Sequence, residues 1–224
     1  MVVAAGSGVR MGASAPKALL ELDGRPLVRW SVEAMAAGGA QHVLVVVAPG
    51  LEDLFAAALN GARVEWSLVA GGSERQDSVR NGLRAIAADH RLRGCRVVLV
   101  HDAARPLVPA SVVRSVADAV LAGARAVIPV IPVVDTVRRV SAEGSVVVDR
   151  ASLRAVQTPQ GFDRDALLSA HDEVHRLGLP FTDDAGVCEA VGYPVVLVPG
   201  SRDAHKVTEP LDLVLAHAIL KERG

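Results

Sequence analysis

Short runs of β-branched residues recur along this chain, separated by stretches with helical spacing, and this alternation restricts the fold more than any other feature. The run His42 to Ala48 reads HVLVVVA with no polar interruption. A strand written this way must be covered on both faces, which is the condition of a parallel sheet between two layers of helices. Similar runs are Val2-Val3-Ala4, Arg63 to Val69, Arg96 to Val100, Ala126 to Ile131 and Pro194 to Val198. Aromatic residues make up only 3% of a chain that is 50% hydrophobic, so the core is aliphatic. Between the runs, Leu27, Trp30, Ala34 and Met35 fall on one helical face behind Pro26, and Val79, Leu83 and Ile86 fall on another. Further helices are expected from about Leu51, from Ala110 to Leu121, from Asp163 to Leu177 and at the C-terminus. The order βαβα predicts a doubly wound, mostly parallel, Rossmann-like α/β sheet. Ligands of such sheets sit outside the carboxyl ends of the strands, where this chain places its polar clusters.

The first of these clusters is Gly6-Ser7-Gly8-Val9-Arg10-Met11-Gly12, directly after Val2-Val3-Ala4. A strand followed by glycines turns several backbone N–H groups toward one point, which suits a phosphate. The dinucleotide fingerprint requires glycine where Met11 stands, and the Walker A pattern requires Gly-Lys, whereas Lys17 follows Pro16. What remains is a glycine loop with Arg10 and Lys17. Two cations there could hold a triphosphate and stabilise charge on departing pyrophosphate; position alone equally allows two solvated surface charges.

At Pro132 the rhythm changes. Thr136 to Val140 and Val146 to Val148 flank Ser141-Ala142-Glu143-Gly144-Ser145, a hairpin with a glycine in its loop. A two-stranded ribbon is marginal alone, so this arm, residues 132–151, is expected to pack on a second copy of the chain; the other possibility is an intramolecular flap. The rest of residues 1–224 reads as one domain. A formal net charge of -1 offers no field for nucleic acid. No apolar run is long enough for a membrane span, and the start has no signal-peptide pattern, which makes the cytoplasm the expected location. Cys95 and Cys188 have no metal-ligand spacing around them and are expected to be reduced packing residues. His171 and His175 share a helical face but lack the H-E-x-x-H pattern, and His101 is expected to pack at a strand end.

Taken together, the strings Ala4-Ala5-Gly6-Ser7-Gly8-Val9-Arg10-Met11-Gly12 with Pro16-Lys17, Gly71-Gly72-Ser73-Glu74-Arg75, His101-Asp102-Ala103-Ala104-Arg105-Pro106, Thr158-Pro159-Gln160, Thr182-Asp183-Asp184 and Lys206-Val207-Thr208 resemble the 2-C-methyl-D-erythritol 4-phosphate cytidylyltransferase family, in family order from residue 1 to the last helix. Two departures stand out: few residues precede the glycine loop, and Val3 occupies a position where the family commonly has proline. The resemblance implies a homodimeric enzyme of non-mevalonate isoprenoid biosynthesis. It would join CTP to methylerythritol phosphate with release of pyrophosphate, using Mg2+ but no protein metal site.

By motif position the resemblance assigns Arg10 and Lys17 to the triphosphate and the transition state, and Ala4, Ala5, Gly6 and Gly8 to the nucleotide. It assigns Gly72, Ser73 and Ser78 to the cytosine and ribose side. Asp102, Ala103 and Arg105 are expected at the acceptor, with Thr182 and Lys206 completing its cradle. Thr136 and Arg150 would reach from the arm into the neighbouring subunit's site. The acceptor phosphate would attack the α-phosphorus in line, without a protein nucleophile. Other readings compatible with parts of the sequence are a cytidylyltransferase for another polyol phosphate such as ribitol 5-phosphate, a dinucleotide-binding oxidoreductase, and a nucleotide sensor without catalysis.

Overall fold

The computed structural model describes residues 1–6 and 16–223. Its elements begin with β1 (Val2–Val3), a small hairpin of β2 (Glu21–Leu22) and β3 (Arg25–Pro26), α1 (Leu27–Ala37), β4 (His42–Val47), α2 (Glu52–Leu59), β5 (Glu65–Ala70) and α3 (Arg75–Ala88). Next come β6 (Val97–Asp102), α4 (Ala110–Leu121), β7 (Ala126–Pro132), the arm strands β8 (Val137–Ser141) and β9 (Gly144–Val148), β10 (Arg154–Val156) and β11 (Gln160–Asp163). The chain ends with α5 (Arg164–Leu177), α6 (Asp184–Ala190), β12 (Val195–Pro199) and α7 (Pro210–Arg223).

One sheet runs β5-β4-β1-β6-β11-β7, with β10 and β12 also paired to β7. The pairs β4–β5, β1–β4, β1–β6 and β7–β12 are parallel, whereas β11 lies antiparallel between β6 and β7. The mostly parallel α/β sheet read from the sequence is therefore present, with an antiparallel insertion the sequence did not announce. In β4 the side chains alternate between two cores. Val43, Val45 and Val47 join Val28, Val32, Phe55, Leu59 and Val113 on one face. Leu44 and Val46 join Val79, Leu83, Ile86, Phe162 and Leu167 on the other. Both faces are buried, which is why the run carries no polar residue after His42.

Several boundaries differ from those the sequence suggested. Strand β6 continues through His101 and Asp102, because β1 pairs with both residues. The core face of α1 is Val28, Val32 and Met35; Leu27 and Trp30 turn instead toward Leu22, Val207 and Ala216 of α7. The segment after Phe181 forms α6, capped by the Asp183 carboxylate, which accepts from the Gly186 N–H at 3.0 Å. The arm closes tighter than expected: Ser141 pairs with Gly144, leaving Ala142 and Glu143 as the turn, with Gly144 at φ 135°. Val140 is 78% exposed and Val146 61%, so the arm packs on nothing within this chain at those positions. Cys95 and Cys188 are free thiols, and Cys188 is fully buried. Among the described residues no helix is long and apolar enough to cross a membrane.

Candidate active site

The sheet order reverses at β1, whose neighbours β4 and β6 lead the chain in opposite directions, and a crevice opens above such a point. Here the crevice is a cavity of about 380 Å³. Ala4, Ala5 and Gly6 enter it from β1, Gly72 and Ser73 from the turn after β5, and Asp102 and Ala103 from β6. Backbone hydrogen bonds tie these turns to the sheet: Ala4 N–H to Val46 O at 2.8 Å, Gly71 N–H to Val47 O at 2.7 Å and Ala103 N–H to Val3 O at 3.0 Å. The hydroxyl of Ser31, buried on α1, donates to the Ala103 carbonyl at 3.0 Å and fixes that turn from below.

Lys17 begins a short 3-10 turn, Lys17–Leu19, and lines the cavity. Lys206 arrives from the far end of the sequence. Its segment docks through the Val207 N–H on the Ala104 carbonyl at 2.8 Å, which brings Lys206 Nζ to 2.7 Å from Asp102 Oδ2. Arg75, at the start of α3, approaches the other Asp102 oxygen at 3.8 Å. Burial pushes the Asp102 carboxyl up, but Lys206 first and then Arg75 outweigh it and hold its pKa down at about 2. The carboxylate is thus ionised and clamped between two cations.

Below it, His101 is buried and neutral. The Arg105 carbonyl 3.1 Å from Nε2 can only accept, so Nε2 carries the proton. Nδ1 then accepts from the Thr158 hydroxyl at 3.1 Å, and Thr158 Oγ1 takes the Asp102 N–H at 3.0 Å. Burial lowers the His101 pKa to about 4.

On the glycine side, Ser78 Oγ accepts the Gly72 N–H at 3.1 Å and donates to the Glu74 carbonyl at 3.0 Å. Ser73 Oγ donates to Asp77 at 2.9 Å. Ser78 therefore sits in the cavity wall with its hydroxyl engaged in shaping the 71–74 turn.

Of the residues singled out from the sequence, Ala4, Ala5, Gly6, Lys17 and Gly72 share this cavity with Ser73, Ser78, Asp102, Ala103 and Lys206. Gly8 and Arg10 lie outside the described residues. Four others do not line it. Arg105 turns away, donating to the Ala204 carbonyl at 2.7 Å, and borders a second cavity of about 300 Å³ with Ile131, Val134, Arg202 and His205. Thr136 and Arg150 lie exposed on or beside the arm, with Arg150 donating to the Val134 carbonyl. Thr182 is exposed before α6. Arg75, given no role from the sequence, does line the cavity; its place in the Gly-Gly-Ser-Glu-Arg string was the available signal.

Among the described residues no group of three or more His, Cys, Asp or Glu side chains could cage a metal. Magnesium commonly keeps several waters and rides on substrate phosphates with one or two carboxylates. Asp102 in the cavity fits that smaller demand.

The 2-C-methyl-D-erythritol 4-phosphate cytidylyltransferase (IspD) family model matches residues 1–222. A protein of that name from Streptomyces avermitilis is 48% identical over 236 residues, covering 100% of this chain and 91% of the relative. Another, from Frankia casuarinae, is 50% identical over 223 residues, covering 98% and 80%. The crystal structure of the 2-C-methyl-D-erythritol 4-phosphate cytidylyltransferase from Thermus thermophilus superposes with a TM-score of 0.81 at 39% identity, over 98% of this chain and 97% of that one. A glycine-lined crevice at the switch point, lined by Lys17 and by an aspartate clamped between Lys206 and Arg75, thus sits on a chain matched nearly end to end, and the chain belongs to the 2-C-methyl-D-erythritol 4-phosphate cytidylyltransferase family.

Proposed function

We propose that this protein transfers the cytidylyl group of CTP to 2-C-methyl-D-erythritol 4-phosphate, giving 4-diphosphocytidyl-2-C-methyl-D-erythritol and pyrophosphate in non-mevalonate isoprenoid biosynthesis. The observation that carries this reading is the convergence of Lys17, Asp102 and Lys206 with the Gly72-Ser73 turn on one cavity. An acceptor phosphate oxygen, already anionic, attacks the α-phosphorus as the bond to the β-phosphate oxygen breaks and pyrophosphate departs. No protein nucleophile is needed, so the work is positioning and charge stabilisation. Lys17, with Arg10, meets the charge growing on pyrophosphate. A cation about 4 Å from that charge has a gross attraction of roughly 4 kcal/mol at an effective dielectric of 20, less after desolvation.

The Gly72-Ser73 turn lets backbone groups approach the small pyrimidine closely, while Ser78 keeps the turn in shape. Lys206 and Asp102 receive the acceptor: the ammonium faces its phosphate and the carboxylate its hydroxyls. Magnesium, when bound, would be held by the triphosphate with Asp102 and would neutralise phosphate charge. The exposed arm is read as the dimer contact, carrying Thr136 and Arg150 to a partner's acceptor site; Arg105 and Thr182 are assigned to the same acceptor, although neither lines the cavity in this chain. A cytoplasmic location belongs to the same reading.

Pyrophosphate release from CTP with a panel of acceptors tests the proposal. Turnover with methylerythritol phosphate well above ribitol 5-phosphate is expected. Preference for ribitol 5-phosphate would move the enzyme to another polyol, and CTP binding without release from any acceptor would leave only a sensor.

A further inference from the structure

Behind the cavity wall runs a line of charged groups that the transfer step does not use. Arg75 Nη2 donates to Asp184 Oδ2 at 2.8 Å, and the same side chain's Nε lies 3.8 Å from Asp102 Oδ1. Asp184 is fully buried, and its second oxygen takes the N–H of buried His171 at 3.0 Å. Gln160 Oε1 accepts the backbone N–H groups of Asp184 and Ala185, each at 3.2 Å. The first turn of α6 is thereby pinned, and Asp184 with it.

Arg75 lies between two carboxylates. A guanidinium prefers two-pronged contact with one carboxylate, and Asp102 would offer that contact if Arg75 were released. Such a contact would compete with Lys206 for Asp102 Oδ2. The tether to Asp184 keeps Arg75 at ion-pair distance and leaves that oxygen to the lysine.

We infer that Arg75 is a positioning residue for the acceptor end of the site: tethered by Asp184, which His171 holds in turn, it fixes the Asp102 carboxylate so that Lys206 faces the cavity. The inference rests on the reading of Asp102 and Lys206 as acceptor-binding groups.

Steady-state kinetics and direct CTP binding of the full-length protein test it with three variants. Asp184→Asn keeps the shape but weakens the tether; kcat/KM for methylerythritol phosphate should fall by roughly 10²-fold, the scale of a misplacement near 1 Å. CTP Kd should stay within about twofold, because the loss is confined to the acceptor end. Arg75→Lys keeps the charge without the fork and should fall in between. Arg75→Met combined with Asp184→Leu replaces the buried pair by apolar groups, a change that often preserves stability. A pair serving only the fold would leave this double variant with unaltered kinetics at an unaltered Tm, whereas a positioning pair leaves it folded and slow with the acceptor.

Wild-type acceptor kinetics in Asp184→Asn and Arg75→Lys overturn the inference, as does a loss of CTP affinity matching the acceptor loss. If the double variant fails to fold, the two single variants decide by the same criteria. Wild-type protein inert with CTP and methylerythritol phosphate overturns the proposed function along with this inference; active wild type with unaffected variants overturns this inference alone.

Discussion

Lys206 Nζ donates to Asp102 Oδ2 at 2.7 Å across a sequence separation of 104 residues. The carboxylate is 14% exposed and the lysine 40%, so the pair stands at the cavity surface with the acid on the inner side. The segment bearing Lys206 is held by its neighbour's hydrogen bond to Ala104, two residues beyond the aspartate, so backbone docking brings the two charges together.

Removing the lysine should therefore reveal what burial alone does to the acid. In Lys206→Ala the strongest influence lowering the Asp102 pKa from its ordinary 3.8 to about 2 disappears, while burial still raises it. The acid limb of the kcat/KM profile for the acceptor should move to higher pH, and the plateau should fall by about 10²-fold. CTP binding should change little. A pH–rate profile checks this, and an unmoved acid limb would separate Asp102 ionisation from acceptor use.

Lys17 and Arg150 stand in different parts of the chain, one in the cavity and the other beside the arm. Lys17→Ala should lower kcat by roughly 10² to 10³ with the fold intact, the range for loss of one transition-state donor. Arg150→Ala should act mainly through the acceptor. If each site takes its arm residues from a second subunit, mixing the two variant chains should recover activity, since some sites then carry both side chains. Subunit exchange without recovery would assign each site to a single chain.

Much of the fold was legible because its strands are buried on both faces: apolar runs as long as those of β4 and β7 fit a doubly covered strand and little else. The turns after β1, β5 and β6 were legible for a related reason, since polar and glycine-rich residues at the ends of such runs mark where the backbone leaves the sheet. Segments shaped by distant partners were not. Strand β11 is too short to show a period, and it forms because Phe162 enters the core and Gly161 passes Val116, where a Cβ would meet Cγ1 at 2.4 Å. Gln157 is buried because its amide pairs with both backbone groups of Ser201. Arg105 shared a string with Asp102 but follows a turn that sends its side chain to Ala204. Arg75 and Asp184 are 109 residues apart, and nothing local to either names the other.

His101 should make stability pH-dependent. Burial lowers its pKa from an ordinary 6.5 to about 4, so between those values the unfolded chain binds a proton that the folded chain refuses. Its contribution is complete above pH 6.5 and is lost as pH falls toward 4. His42 and His205, also lowered chiefly by burial, act in the same direction, whereas Asp102 acts only below pH 4. Denaturant unfolding at pH 6.5 and 5 should show a loss of about 1.5 kcal/mol from His101, whose unfolded form goes from half to almost fully protonated over that interval. The loss should shrink in His101→Gln, which cannot titrate. Equal pH slopes in the two proteins would mean that the imidazole is not the group responsible.

The Gly72 position allows a sharper test of the nucleotide side. A Cβ there would stand 2.3 Å from Asp77 Cβ and 3.2 Å from the Asp77 carbonyl carbon. Neither is the far end of a flexible side chain, so the collision cannot be relieved by a rotamer change. The turn must move away from the first helical turn of α3, lengthening the Gly72 N–H contact to Ser78, now 3.1 Å. Gly72→Ala should therefore destabilise the protein by about 1–3 kcal/mol, the scale of overpacking. It should also weaken CTP binding by about tenfold or more, since about 1.4 kcal/mol of misfit is enough for that factor. Gly94→Ala is the matched control, because a Cβ there meets nothing within 4 Å. Calorimetric titration with CTP on both variants measures the difference. If Gly72→Ala binds CTP as tightly as Gly94→Ala does, the 71–73 turn does not approach the nucleotide, and the cytosine must lie elsewhere in the crevice.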